Sequence, residues 1–278
     1  MINEIRIEED VRRWINEDIS FWDVTTNIIP KSKAEAKIFA KQEGIIAGLH
    51  IAEKIFNMMG ADFKSHVEEG EKVAKKAHIA SIKGDIHTLL QSERLALNIL
   101  GRLSGIATQT AKMIEVAKET NPEIRICGTR KTAPGLSIYD KYGIVVGGGD
   151  THRFNLSDMV LLKENHLQKF KSITEAISEA KQKTSFSKKI EVEVQNEEQA
   201  IEATEAGADI IMFDNFSPIQ VKHTISKIKK LDRDVLIELS GNISLENINL
   251  YSIEGVNLIS SGTLTHSVHN FDLTMLIE

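Results

Sequence analysis

Between Gly128 and His166 the chain reads GTRKTAPGLSIYDKYGIVVGGGDTHRFNLSDMVLLKENH, which gathers Arg130, Lys131, His152, Arg153, Lys163 and His166 into one stretch. Six of the 17 glycines lie between Gly128 and Gly149, so the cations sit on a glycine-jointed backbone. Glycine admits positive φ and lets backbone approach a ligand closely. Arginine offers a planar fork for carboxylate or phosphate, and lysine a compact point charge. The chemistry implied is the grip of a small polyanion. A solvated surface would scatter these charges rather than pair them at Arg130-Lys131 and His152-Arg153.

The chain beyond supplies the opposite charge. Glu193 stands within IEVEV and Asp214 directly after IIMF. Both offer hard oxygen atoms to a divalent cation such as Mg²⁺. Ser240-Gly241 follows LIEL and Ser261-Gly262 follows NLIS, like the donor loops that cradle phosphate late in α/β barrels. Bland readings stand beside these. Arg130 and Lys131 could cap a strand, His152 could be a satisfied core histidine, Lys163 could reach to solvent, and the Ser-Gly pairs could be simple turns. Glu191 points the same way as Glu193 but lies deeper, so it is expected to be paired structurally. Cys127 reads as a small buried residue, and GGGD does not fit the spacing of a dinucleotide fingerprint.

The elements that must position these groups are short apolar runs alternating with helical stretches, the signature of βα units. The runs are Ile124–Cys127, Ile144–Val146, Met159–Leu162, Ile190–Val194, Ile210–Phe213, Val235–Leu239 and Val256–Ile259. Helices are expected at Ser172–Lys183, Glu197–Ala206, Pro218–Lys230 and Ser244–Leu250. In a parallel barrel the C-terminal strand ends form one rim that carries the active site. The cationic, acidic and Ser-Gly segments therefore converge on one mouth.

Upstream, Ile5–Ile19 has helical periodicity. A strand is expected from Ala34 toward Gly48, a helix over His50–Met59, and strands at His66–Val73 and His78–Ile82. The latter pair also occurs in swinging-arm carrier domains, but no lysine stands at the hairpin tip. A long helix follows from Ile86 to Arg102, with Gln91, Arg94 and Asn98 on one polar stripe. Gly105 is expected to break it, with a second helix over Ile106–Lys118.

Composition sets outer limits. The 278 residues are 41% apolar and 27% charged, with a net charge of −6, which argues against nonspecific nucleic-acid binding. The apolar runs fall far short of a membrane span, and MINEIRIEEDVRRWINED lacks the apolar core of a signal peptide. A lone cysteine forms no internal disulfide. A cytoplasmic protein is expected, with neither nucleic acid nor membrane as partner.

TRKTAPGL, VGGGDTHRFNLSDMVLLKENH, EVEV, MFDNF, ELSGNI and SGTLTHS, in this order, resemble the quinolinate phosphoribosyltransferase family. INEDISFWDVTTNIIP, EGIIAGL and SERLALNILGRLSGIAT extend the resemblance over nearly the whole chain, although FWDVTT lacks the glycine common before its Asp. The resemblance implies an N-terminal α/β sandwich, residues 1–104 with the tail 267–278 packing back on it. It further implies an incomplete seven-stranded parallel α/β barrel over residues 105–266. The implied reaction joins quinolinate and 5-phosphoribosyl-1-pyrophosphate, with Mg²⁺, into nicotinate mononucleotide, pyrophosphate and CO₂ during NAD synthesis.

Carried over by position, Arg130, His152, Arg153 and Lys163 bind quinolinate and Lys131 faces phosphate as a catalytic lysine. Glu193 and Asp214 are the catalytic acids near ribose and metal. Ser240, Gly241, Ser261 and Gly262 form the phosphate loops, with His266 beside them. Arg94 reaches a neighbouring subunit's site, which implies at least a homodimer. Three alternatives stay open at this point: a molybdenum-transport-associated paralogue of this fold, a Schiff-base barrel enzyme using Lys163, and a noncatalytic anion-binding protein.

Overall fold

The computed structural model describes residues 2–278, which form two compact units. The first comprises the chain up to Gln109 together with Ile138–Gly148 and Val268–Glu278. The second comprises Thr110–Ser137 and Gly149–Ser267.

In the first unit, helix α1 (Glu4–Asp18) starts where Asn3 accepts a hydrogen bond from the Ile5 amide at 2.9 Å. A capping side chain of this kind satisfies an otherwise orphaned N–H. Its buried face carries Ile7, Asp10 and Val11. The buried Asp10 carboxylate is matched by Arg6 at 2.7 Å and Arg13 at 2.8 Å. Strands β1 (Lys33–Ala40), β2 (Gly44–Ile45), β3 (Asp62–Ser65), β4 (Lys72–Val73) and β5 (His78–Asp85) follow, with helix α2 (Leu49–Met59) between β2 and β3. The main sheet is antiparallel, in the order β12-β1-β5-β3, where β12 is the C-terminal strand Leu273–Ile277. Ala36, Ile38 and Ala40 give β1 its buried side at period two, and α2 covers β3 and α1. The strand expected at His66–Val73 is mostly a loop. Only Val73 of that stretch is buried, so its alternating charges have no apolar face to pin them to a sheet.

Helix α3 runs unbroken from Ile86 to Lys118, and the expected break at Gly105 does not occur. A Cβ on Gly105 would lie 2.2 Å from the His269 carbonyl oxygen, and one on Gly101 3.0 Å from that of Phe271. The glycines admit a crossing backbone rather than end the helix. Gly105→Ala is therefore expected to destabilise the protein by about 1–2 kcal/mol. Overpacking costs about 1–3 kcal/mol and helix propensity returns at most about 1. A urea midpoint unchanged or raised in the variant would count against this.

The second unit is built on a six-stranded parallel sheet, β6-β11-β10-β9-β8-β7. The strands are β6 (Arg125–Cys127), β7 (Val160–Leu162), β8 (Ile190–Val194), β9 (Ile210–Asp214), β10 (Leu236–Ser240) and β11 (Leu258–Ser260). Helices α5 (Glu164–Leu167), α6 (Ile173–Lys183), α7 (Glu197–Glu205), α8 (Pro218–Ile228), α9 (Ile248–Tyr251) and α10 (Thr263–His266) connect or follow them. Ser172, Asn196 and Ser217 cap α6, α7 and α8, each accepting from the amide three residues on. Among the described residues β7 and β6 do not pair, so the barrel is incomplete.

The expected count of seven strands is corrected to six. Ile144–Val146 is the last turn of helix α4 (Ser137–Val146) and not a strand. Three β-branched residues mimic a strand locally, but Tyr139, Asp140, Gly143 and Ile144 are buried at helical spacing. Arg102 grips the fully buried Asp140 of α4 in a bidentate pair at 2.7 and 2.9 Å. At the open edge beside β6, Asp150 makes a single parallel bridge to Cys127 in place of a seventh strand.

Candidate active site

The pleat of the parallel sheet decides which side chains meet. Pairing sets Glu193 opposite Met212, Met212 opposite Glu238, and Asp214 opposite Ser240. Ser260 is level with Cys127 on β6. Because side chains alternate along a strand, one parity of every strand faces one side. Leu161, Glu193, Met212, Asp214, Glu238, Ser240 and Ser260 accordingly line one cavity of about 680 Å³.

The loop after β6 brings Arg130 and Lys131 to this cavity, and the loop after Asp150 brings His152 and Arg153. The Lys131 amide donates to Thr129 Oγ1 at 3.1 Å, and Thr265 Oγ1 donates to the Lys131 carbonyl at 2.8 Å. Burial and the neighbouring Arg130 charge both push the Arg153 guanidinium down from its usual range. Among the described residues neither arginine has a carboxylate within 4 Å, and Arg153 Nη1 reaches only the Met159 carbonyl at 3.5 Å. Two adjacent cations without an anion between them form a receptor for one.

Lys163, at the end of β7, is ion-paired with Glu193. Its amide donates to His166 Nδ1 at 3.0 Å, so His166 holds the strand end that presents the lysine. Asp214 accepts a hydrogen bond from Asn215 Nδ2 at 2.9 Å. Asn215 Oδ1 in turn accepts from Asn242 Nδ2 at 3.1 Å, which ties the acid to the Ser240-Gly241 loop. Asn215, Gly241 and Asn242 have φ of 57°, 100° and 51°. A Cβ on Gly241 would sit 2.3 Å from Asn215 Oδ1, so only glycine fits that turn. At Gly262 a Cβ would meet His266 at 2.8 Å and the Lys131 side chain at 3.1 Å, so both lie across the glycine.

His152 sits deeper, at φ 52°. Its Nε2 lies 3.0 Å from Glu238 and 3.4 Å from Glu191, and both carboxylates are fully buried. Burial lowers the imidazole and the two carboxylates raise it, while the Arg153 N–H donated to its Nδ1 at 2.8 Å opposes a second ring proton. Burial and the adjacent Glu238 raise Glu191 to about 7. The pairing expected of Glu191 is thus present.

Of the residues singled out in the sequence, Arg130, Lys131, His152, Arg153, Lys163, Glu193, Asp214, Ser240, Gly241, Gly262 and His266 all line the cavity. Ser261 does not. It is buried, and its hydroxyl bonds the Ile243 carbonyl at 2.6 Å and Thr263 at 2.7 Å, so it braces the loop from behind while Ser260 and Thr263 face the cavity. Alternation along NLISS places Ser260 and Ser261 on opposite sides. Arg94 lies in the first unit on α3 with an exposed side chain, 3.9 Å from its sequence neighbour Glu93, and it does not line the cavity. Glu238, Asn215 and Asn242 were missed by sequence reasoning. For Glu238 a signal existed, since in LIELS the residue two before Ser240 must share its side of the strand.

Both halves of the chain have known relatives. Residues 23–104 match the family described as quinolinate phosphoribosyl transferase, N-terminal domain, and residues 106–276 match its C-terminal domain. The chain is 42% identical over 271 residues to the "Probable nicotinate-nucleotide pyrophosphorylase (carboxylating)" of Methanocaldococcus jannaschii, covering 95% of each. It is 34% identical to the human nicotinate-nucleotide pyrophosphorylase (carboxylating), covering 95% of this chain and 89% of the relative. The crystal structure of NadC from Streptococcus pyogenes superposes with a TM-score of 0.94 at 35% identity, covering 100% of this chain and 98% of the other. With both domains matched in order and full-length relatives well above 30% identity, this chain belongs to the quinolinate phosphoribosyltransferase family.

Proposed function

We propose that this cavity transfers the phosphoribosyl group of 5-phosphoribosyl-1-pyrophosphate to the ring nitrogen of quinolinate. Loss of the 2-carboxylate as CO₂ then gives nicotinate mononucleotide and pyrophosphate. The observation that carries this reading is the division of one cavity into three chemistries. Arg130 and Arg153 stand together without an anion, Glu193 and Asp214 lie on adjacent strands, and the Gly241 and Gly262 loops complete the rim.

Arg130, Arg153 and Lys163 bind the two quinolinate carboxylates. Lys131 and His266, lying across Gly262, face phosphate with Ser240, Gly241 and Gly262. Glu193 and Asp214 favour the positive charge that develops on the ribose as pyrophosphate departs. Their carboxylates also fit Mg²⁺, since Asp214 presents hard oxygen beside the Asn215 carboxamide at the end of β9. Bound there, the ion would neutralise charge on the pyrophosphate leaving group. Once the ring nitrogen carries ribose, the pyridinium can stabilise the electron pair left when CO₂ departs. The reaction is assigned to the cytoplasm, and no described helix is long and apolar enough to cross a membrane.

The test is to mix purified protein, Mg²⁺, quinolinate and 5-phosphoribosyl-1-pyrophosphate and assay nicotinate mononucleotide and pyrophosphate in equal amounts. Binding of quinolinate without pyrophosphate release would instead favour an anion-binding protein. Borohydride trapping of a carbonyl compound on Lys163 would favour a Schiff-base enzyme.

Arg94 completes the site from a second subunit in this reading, as the family resemblance implies, and its exposed guanidinium is absent from its own chain's cavity. Mixing an Arg94→Ala chain with an Arg130→Ala chain is expected to restore activity, toward about a quarter of wild type, since exchange creates some sites with both arginines. Subunit exchange is verified by mass spectrometry of tagged chains. Mixed dimers no more active than either parent would remove Arg94 from the partner's site.

A further inference from the structure

We propose that Glu238, with Glu191 beside it, is a positioning residue for substrate-acid binding, acting through His152 on Arg153. This rests on the functional reading above and departs from the family resemblance at one residue, because His152 becomes a support rather than a substrate contact.

The strand neighbours paired with the two glutamates are apolar, Leu161 and Ile210 beside Glu191, and Met212 and Leu258 beside Glu238. A carboxylate there is costly unless paired. Both carboxylates converge on one partner, His152 Nε2. The other ring nitrogen, Nδ1, accepts the Arg153 backbone N–H at 2.8 Å. That contact requires a lone pair on Nδ1, so the ring proton resides on Nε2 and is donated to Glu238. Neither ring nitrogen remains for a ligand.

The same pattern answers whether His152, Glu191 and Glu238, which lie close enough together to hold a metal ion, form a metal site. Nε2 ligation would place the proton on Nδ1, head to head with the Arg153 N–H. The bonding seen here therefore favours the carboxylate anchor over a metal.

What the anchor holds is strained. His152 is a non-glycine residue at φ 52°, a conformation that persists only where its surroundings over-determine it. Asp150 Oδ1 takes the His152 amide at 2.8 Å, Glu238 fixes the ring, and the ring fixes the Arg153 amide. Arg153 leaves this clamp pointing into the cavity with one long contact of its own, to the Met159 carbonyl. Glu191 has no hydrogen-bonded oxygen and contributes negative charge behind the guanidinium. The direction of Arg153 is thus set from beneath, by a residue that need not touch substrate.

Isothermal titration of the full-length protein with quinolinate and, separately, with 5-phosphoribosyl-1-pyrophosphate tests this. Glu238→Leu is expected to weaken quinolinate binding about tenfold or more while affinity for the phosphoribosyl donor stays within about twofold. Glu238→Gln keeps an acceptor for Nε2–H and is expected to recover most of the loss. His152→Asn tolerates the left-handed backbone but cannot reach Glu238. It should match Glu238→Leu, and the double variant should be no worse than either. Should Glu238→Leu fail to fold, the comparison of His152→Asn with the His152→Asn/Glu238→Gln double variant carries the same test of non-additivity. Additive losses, or equal losses for both substrates, overturn the proposal. A large loss in His152→Asn with none in Glu238→Leu overturns it too, and makes His152 a direct contact. Wild-type protein that binds neither substrate overturns the functional reading along with it.

Discussion

Replacing quinolinate by nicotinate is expected to lower kcat/KM by about 10³-fold or more. Nicotinate lacks the 2-carboxylate, and the cavity holds more cations than one carboxylate can satisfy. Arg153 is half-buried and its guanidinium is already pushed down by burial and by Arg130. A substrate with a single carboxylate leaves part of that charge desolvated and unanswered, a cost on the order of several kcal/mol. Nicotinate also has no carboxylate at the carbon where CO₂ leaves, so its product would form without decarboxylation. The measurement is a pair of initial-rate series with the two acids under saturating phosphoribosyl donor. Comparable kcat/KM for both would remove the dicarboxylate assignment from Arg130, Arg153 and Lys163.

The second large effect separates the two arms of the cavity. Arg153→Ala is expected to weaken quinolinate binding by about 2–4 kcal/mol, as for other desolvated charge contacts, which is about 30- to 1000-fold. Asp214→Ala and Glu193→Ala should lower turnover more than they lower quinolinate affinity, because their charge is needed as the ribose becomes positive. Glu193→Ala carries a complication that decides how it is read. It also frees Lys163 from its ion pair, so quinolinate affinity in that variant can rise while turnover falls. Titration of quinolinate into each variant, paired with single-turnover rates, distinguishes the arms. Loss of quinolinate binding in Asp214→Ala with none in Arg153→Ala would reverse the assignment.

The sequence disclosed the rim better than the scaffold beneath it. Lys163 and Asp214 follow directly on short apolar runs, Glu193 stands one residue before the end of its own and Arg130 three residues after, and a parallel sheet sends such ends to one face. Helix starts were legible because Ser172, Asn196 and Ser217 announce them chemically. The failures have physical causes. IVV at Ile144–Val146 has strand composition but lies on a helix buried at helical spacing, so tertiary packing overrode local preference. Gly105 looked like a helix breaker, yet its lack of a side chain serves the His269 carbonyl crossing it, which no local pattern reveals. The Ser-Gly pairing points to Ser261, whereas the alternation of the strand points to Ser260, which lines the cavity. Glu238 was open to the same alternation and missed. The His152 anchor could not be read at all, since it joins a loop to two strands 39 and 86 positions away.

The most direct measurement is release of labelled CO₂ from quinolinate carrying the label in its 2-carboxylate, with pyrophosphate followed in the same reaction. The expected result is one CO₂ for each pyrophosphate, nicotinate mononucleotide as the organic product, and no CO₂ when 5-phosphoribosyl-1-pyrophosphate is withheld. CO₂ release that does not depend on the phosphoribosyl donor, or pyrophosphate formed without CO₂, would contradict phosphoribosyl transfer followed by decarboxylation in this cavity.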